Sequence, residues 1–134
     1  MKKVFCLGVW DLFHMGHLNL LYSAYKGSGE GRLIVGVVKD AAVRRQKGQN
    51  RPIIPYNERL EIVRSLWFVK ETVWLDGFFI PKAIIDQCDL IVVGADQSHI
   101  KNLPEIPKSK RLDLPRYVGT STSDIIKRIK NEPS

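Results

Sequence analysis

The sequence predicts an α/β fold with a parallel sheet of about five strands covered on both faces, and three observations predict it. Short apolar, β-branched runs, clearest at Leu33–Val38 and Leu90–Gly94, have the length and continuity of strands buried on both sides. Stretches with apolar residues at helical spacing lie between them. Strands alternating with helices require crossover connections, so the strands run parallel.

In chain order, Lys3–Val9 reads as the first buried strand. Gly16–Lys26 follows as a helix with Leu18, Leu21, Tyr22 and Tyr25 on its apolar side, and Gly27-Ser28-Gly29-Glu30-Gly31 ends it. Leu33–Val38 is the second strand. Ala41–Gly48 is basic and reads as a mobile segment, with Pro52–Pro55 as a connector. Tyr56–Trp67 is an amphipathic helix whose apolar side is Leu60, Ile62, Val63, Leu66 and Trp67. Val69–Leu75 is a strand, and Pro81, favoured in a first helical turn, opens a short helix through Gln87. Leu90–Gly94 is a strand, residues 99–110 a loop and Arg111–Leu114 a brief strand. Ser121–Asn131 is a terminal helix; Ser121-Thr122-Ser123-Asp124 has the form of a capping box with Asp in place of Glu. No repeat, low-complexity tract or linker interrupts the chain, so residues 1–134 read as one domain.

Charge narrows the partners. The chain carries 21 Lys+Arg against 14 Asp+Glu, a net charge of +7. Residues 1–50 hold eight basic against three acidic residues, 51–100 five against seven, and 101–134 eight against four. Such a balance attracts anions, from nucleic acid to small phosphates. No long like-charge block and no arginine tract interleaved with aromatics is present, which argues against nucleic acid. No apolar run approaches the roughly 20 residues of a membrane span. The start, Met1 to Leu7, lacks a small-residue cleavage site and reads as a strand, not a signal peptide. Cys6 and Cys88 lie in apolar contexts, as reduced core thiols do, and with no signal sequence they point to the cytoplasm.

Sheets of this kind bind ligands beyond the carboxyl ends of their strands, at the topological switch point. Three segments fall there: residues 8–17, Gly94-Ala95-Asp96-Gln97, and residues 116–124. The first holds two of the three histidines, His14 and His17. Their spacing at a helix start places both rings on one face. Gly16 between them lets the backbone approach a ligand closely, and the helix N-terminus favours an anion. Imidazole N–H groups add hydrogen bonds to phosphate oxygens. Zinc is the competing reading, but it needs a third or fourth ligand, and His99 and the strand cysteines are poorly placed to supply one. Two ordinary surface histidines are the plain alternative.

Gly8-Val9-Trp10-Asp11-Leu12-Phe13-His14-Met15-Gly16-His17 resembles the His-x-Gly-His signature of the nucleotidyltransferase superfamily. Arg116-Tyr117-Val118-Gly119-Thr120-Ser121-Thr122-Ser123 resembles the Arg-x-x-Gly-x-Ser-Thr-Thr/Ser signature of its cytidylyltransferase branch. Lys47-Gly48 with Arg51-Pro52, and Tyr56-Asn57-Glu58-Arg59, are similar to the family's basic loop and following helix; Gly94-Ala95-Asp96-Gln97 is similar to its Gly-x-Asp-x turn. The small glycerol-3-phosphate cytidylyltransferases are the members most resembled. Val9 stands for the usual threonine, Trp10 for phenylalanine and Gln97 for tryptophan; with residues 98–110, these differences leave the acceptor open.

The resemblance implies a Rossmann-like three-layer fold and transfer of CMP from CTP to a small phosphorylated alcohol such as glycerol 3-phosphate, releasing pyrophosphate and giving a CDP-activated precursor. An adenylyltransferase using ATP on a sugar phosphate or FMN, and a non-catalytic nucleotide- or nucleic-acid-binding module, are the alternatives. His14 and His17 would hold the triphosphate and stabilise the shifting charge. Lys47 would bring a mobile positive charge, and Arg116 would pair with phosphate through its fork. Val9, Trp10, Gly16 and Gly119 would contribute through the backbone of the two motifs. Ser121, Thr122 and Ser123 would offer amides and hydroxyls to β- and γ-phosphate oxygens. Arg59 would face the site, and Asp96 would contact the base or ribose. The plain alternatives are a loop lysine at 47, a rim salt bridge at 116, helix capping at 121–123, partners for helix carboxylates at 59 and an Asx-turn at 96. Mg²⁺ would arrive on the nucleotide, with Asp11 assisting through water and no dedicated protein metal site. A homodimer is expected from the family likeness and from the aromatics Trp67, Trp74, Phe78 and Phe79.

Overall fold

The computed structural model of the chain describes residues 2–27, 29–95 and 99–133. Strands β1 (Lys3–Gly8), β2 (Arg32–Val38), β3 (Val69–Leu75), β4 (Leu90–Gly94) and β5 (Arg111–Leu114) alternate with helices. The helices are α1 (Met15–Gly27), α2 (Asp40–Lys47), α3 (Tyr56–Arg64), α4 (Lys82–Gln87) and α5 (Thr122–Asn131). The strands form one sheet in the order β3-β2-β1-β4-β5, and every neighbouring pair is parallel. This is the α/β, Rossmann-like fold that the alternation of apolar runs and helical stretches predicts. Side chains of β1 alternate between two buried layers. Phe5 and Leu7 pack with Val38, Val43, Phe78, Ile85 and Ile91 on one face; Val4 and Cys6 pack with Leu21, Ala24, Val37, Val63 and Val92 on the other. Cys6 and Cys88 are both buried and free, and burial pushes the Cys6 thiol up to about 12.

Three stretches differ from expectation. The segment 41–48, read as mobile, is helix α2. Its Ala42 and Val43 are buried, while Arg44, Arg45 and Lys47 face outward, so a short apolar step anchors a helix that composition made look like a loop. Gly48, at φ 105°, terminates it. The helix expected over Tyr56–Trp67 stops at Arg64, where the chain turns toward β3; Ser65 Oγ donates to the Ile62 carbonyl at 2.6 Å. Residues 99–110 include single 3₁₀ turns at Leu103–Glu105 and Lys108–Lys110, and Ile100 and Ile106 are buried, pinning the loop to the core. Among the described residues, no helix is long and apolar enough to cross a membrane.

The chain moves outward from β1 through β2 to β3, then returns to place β4 and β5 on the other side of β1. The connections that leave β1 and β4 therefore diverge, opening a crevice beyond Gly8 and Gly94.

Candidate active site

A cleft of about 410 Å³ lies at this switch point. Gly8 to Asp11, His14, Gly16 and His17 form one wall, Lys47 and Arg51 stand at one side, and Gly94, Ala95 and His99 follow β4. Pro115 to Tyr117 and Thr120 to Asp124 close it from the far end of the chain.

The turn out of β1 is built under strain. Trp10 (φ 62°) and Leu12 (φ 50°) both take left-handed backbone, which a bulky residue rarely adopts. Burial compensates: the Trp10 side chain is in the core, and its indole N–H donates to the Gly36 carbonyl at 2.9 Å. Between them, Asp11 accepts the N–H groups of Ile53 at 2.8 Å and Ile54 at 2.9 Å, one on each carboxylate oxygen. Asp11 thus ties the connector to the turn. Each oxygen keeps a second lone pair, so these bonds are compatible with the expected assistance to a magnesium-bound water.

The two histidines cap α1 reciprocally. The Gly16 N–H donates to His14 Nδ1 at 3.0 Å, and the His14 N–H donates to His17 Nδ1 at 3.2 Å. This is the logic of a capping box carried out with imidazoles. It also fixes the tautomers: each ring accepts at Nδ1 and so carries its proton on Nε2. The rings stack with centroids 3.8 Å apart, and Phe13 and Trp10 enclose His17 at 5.3 and 5.6 Å. Gly16 has no room for a side chain: a Cβ there would stand 2.8 Å from His14 Cε1 and 3.0 Å from the Thr120 carbonyl.

The far end of the sequence closes on this pair. His14 Nε2 donates to Thr122 Oγ1 at 3.1 Å, and Thr122 Oγ1 donates onward to the Asp11 carbonyl at 2.9 Å. Ser121 caps α5 by accepting the Asp124 N–H at 3.1 Å and also lines the cleft, so capping and ligand-facing roles coexist. Val9, Gly16, Lys47, Arg116 and Ser123 line the cleft as expected.

Trp10 lines the cleft as expected, with its ring behind His17, where it buries the strained turn. Two expected site residues fall elsewhere. Gly119 does not line the cleft; its bare Cα accommodates the Tyr117 ring, which a Cβ would meet at 2.5 Å. Arg59 is corrected most: it is fully buried behind the site, bonded to the carbonyls of Val9, Val38 and Ile54 and to Asp40. Asp96 lies outside the described residues. Asn19, Arg51, His99, Tyr117 and Thr120 line the cleft without having been singled out as site residues. Arg51 stood in the quoted basic loop, and His99 and Tyr117 follow the carboxyl ends of β4 and β5, where this fold class places ligands. The Arg51 Nε is buried with no hydrogen-bond partner, 3.8 Å from Asp11.

Both imidazoles are held neutral. Burial, then the charges of His14 and Lys47, push His17 down to about 3; burial lowers His14 in the same direction. The unfolded chain therefore takes up the proton that folded His17 refuses, and stability is expected to fall as pH drops from about 6.5 toward 3. Thermal melts of wild type and His17→Asn between about pH 7 and pH 4 check this. The variant should lose less stability across that window, and an equal loss would reject the account.

The family model described as cytidylyltransferase-like matches residues 5–128. The bifunctional protein HldE of Citrifermentans bemidjiense is 38% identical over 96% of this chain and 27% of its own length. The chain thus spans about a quarter of the length of the bifunctional relatives it matches. The FAD synthase of Korarchaeum cryptofilum is 31% identical over 96% of this chain and 91% of its own. The ethanolamine-phosphate cytidylyltransferase of Dictyostelium discoideum is 33% identical over 96% and 38%. Among solved structures, a lipopolysaccharide core biosynthesis protein from Thermoplasma volcanium superposes with a TM-score of 0.70 at 28% identity, covering 87% of this chain and 98% of that one.

Proposed function

Since the chain belongs to the cytidylyltransferase-like family of nucleotidyltransferases, we propose that its cleft transfers a nucleotidyl group from a nucleoside triphosphate to a phosphate of a small acceptor, releasing pyrophosphate. The observation that carries this is the contact of His14 with Thr122, 108 residues apart, which joins the two motifs into one site. An acceptor phosphate oxygen attacks the α-phosphorus, the new P–O bond forms in line, and the bond to the β-phosphate oxygen breaks. The neutral Nε2–H donor of His17, with Lys47, Arg51 and Arg116, stabilises charge as it moves onto the leaving pyrophosphate, while His14, through Thr122, holds the two motifs together around it.

The locked tautomers also bear on the acceptor. Each Nδ1 already accepts a backbone hydrogen and each Nε2 already carries a proton, so neither ring is a general base. Asp11 is engaged as well. A nucleophile entering this cleft must arrive ionised, as a phosphate monoester does near neutral pH, and an alcohol does not. Mg²⁺ belongs to this reading as part of the nucleotide substrate.

CTP is the donor favoured by the family model, with a small phosphorylated alcohol such as glycerol 3-phosphate as acceptor. ATP is the second reading, favoured by the Korarchaeum FAD synthase, matched over 91% of its length. The experiment is pyrophosphate release with each NTP against glycerol 3-phosphate, phosphoethanolamine, a sugar 1-phosphate, a sugar bisphosphate and FMN, with the dephosphorylated acceptors alongside. Release with a phosphorylated acceptor alone supports the reading. Release with its dephosphorylated form, or with none, rejects it. Homodimerisation belongs to the same proposal: Phe78 is core, but Trp67 and Phe79 are 73% and 45% exposed and offer apolar surface to a second copy. A monomer by sedimentation at assay concentration would reject it.

A further inference from the structure

A second concavity, of about 420 Å³, lies at the same carboxyl edge of the sheet, beyond β2 and β3. Lys39, Arg45, Tyr56 and Asp76 line it with Ala41 and Ala42 of the first turn of α2. Asp40, also in its wall, is matched: Arg59 Nη2 donates to one carboxylate oxygen at 2.6 Å and the Tyr56 N–H to the other at 3.3 Å. Lys39 is not. Its ammonium stands 4.5 Å from the centre of the Trp74 ring and 5.7 Å from that of Tyr56. Among the described residues it has no carboxylate within ion-pair reach and no hydrogen-bond acceptor. Two aromatic faces hold a half-buried cation in place without neutralising it. Arg45 donates to the Asp76 carbonyl at 3.1 Å and leaves the rest of its fork exposed. Burial raises the Tyr56 phenol, which keeps it a donor. The positive end of α2 has the same sign. Asp76 at the rim is the opposing charge.

We propose that this pocket is a phosphate site, which selects bisphosphorylated acceptors over monophosphates such as glycerol 3-phosphate by holding a second, non-reacting phosphate. The proposal rests on the transfer reading of the cleft. There, Lys47, Arg51 and Arg116 face the triphosphate, whereas Lys39 and Arg45 are cations at the same sheet edge with no triphosphate to meet. Lys39 and Lys47 bracket α2 and line the two concavities, so their Cα atoms stand about 12 Å apart at 1.5 Å per residue. One bisphosphorylated metabolite can therefore reach from the cleft to this pocket along α2.

Amide NMR of the full chain titrated with inorganic phosphate, and with acetate at matched ionic strength, tests the site without nucleotide. Saturable phosphate shifts are expected at the Ala41, Ala42 and Tyr56 amides and the Trp74 indole. They should be lost in Lys39→Ala and in Arg45→Ala, restored by Arg45→Lys, and kept in His14→Ala. Shifts confined to Gly16, His17 and Thr122, shifts that persist in both alanine variants, or equal shifts with acetate would overturn the proposal. In turnover, Lys39→Ala should raise KM for a bisphosphate acceptor about tenfold and leave KM for the NTP unchanged. An unchanged acceptor KM also overturns it. The two readings fail separately: absent pyrophosphate release sinks the transfer, and absent phosphate shifts sink this site.

Discussion

His17→Asn is expected to lower kcat by about 10²–10³ while leaving the melting temperature within a few degrees of wild type. The substitution separates the two jobs of the ring. Asn Oδ1 stands near the position of Nδ1 and can still accept the His14 N–H, so the cap on α1 persists. The Nε2–H disappears, and with it a neutral donor preorganised beside the departing phosphate. Such a donor matters most where charge develops, so the loss should fall on kcat more than on KM for the nucleotide. His17→Ala removes both jobs and should lose about 1 kcal/mol of stability in addition. Steady-state kinetics and thermal melts on the two variants check the division. Wild-type turnover in a normally folded His17→Asn would remove His17 from the chemistry.

Much of this arrangement is written in short-range patterns. The strands follow from apolar runs, because a parallel sheet covered on both faces admits few polar residues. His14, Gly16 and His17 were legible because a helix start, a glycine and two imidazoles coincide within four residues. Ser121 was legible because capping is local. The missed features depend on partners far along the chain. Helix α2 looked like a loop because its anchor is only Ala42 and Val43, which matter only once β2 is placed beside them. The structural role of Asp11 was not legible because nothing within its own motif shows that the amides of Ile53 and Ile54 will arrive to bond it. The cationic pocket at Lys39 arises from residues spread from 39 to 76, with no shared motif.

Arg59→Met is expected to cost about 3–5 kcal/mol, because it leaves a buried network without its centre. Arg59 is fully buried. Its Nε donates to the Ile54 carbonyl at 2.9 Å, and Nη1 donates to the carbonyls of Val9 at 2.7 Å and Val38 at 2.8 Å. Nη2 donates to Asp40 at 2.6 Å. One side chain therefore satisfies the ends of β1 and β2, the connector held by Asp11, and the first residue of α2. Methionine fills a similar volume but supplies no donor, leaving the carbonyls of Val9, Val38 and Ile54 and one oxygen of Asp40 without their partner. For a domain of this size the loss corresponds to a fall in melting temperature of about 11–18 °C. Arg59→Lys should recover only part of it, because an ammonium cannot present donors along the separate directions of a planar fork. Differential scanning calorimetry of the two variants decides: a melting temperature within about 3 °C of wild type for Arg59→Met would show the network to be dispensable. The Val9 carbonyl is one of the four acceptors, so partial unfastening should also loosen the strained turn that carries His14 and His17. Turnover in Arg59→Lys is then expected to fall at temperatures where the fold is still intact.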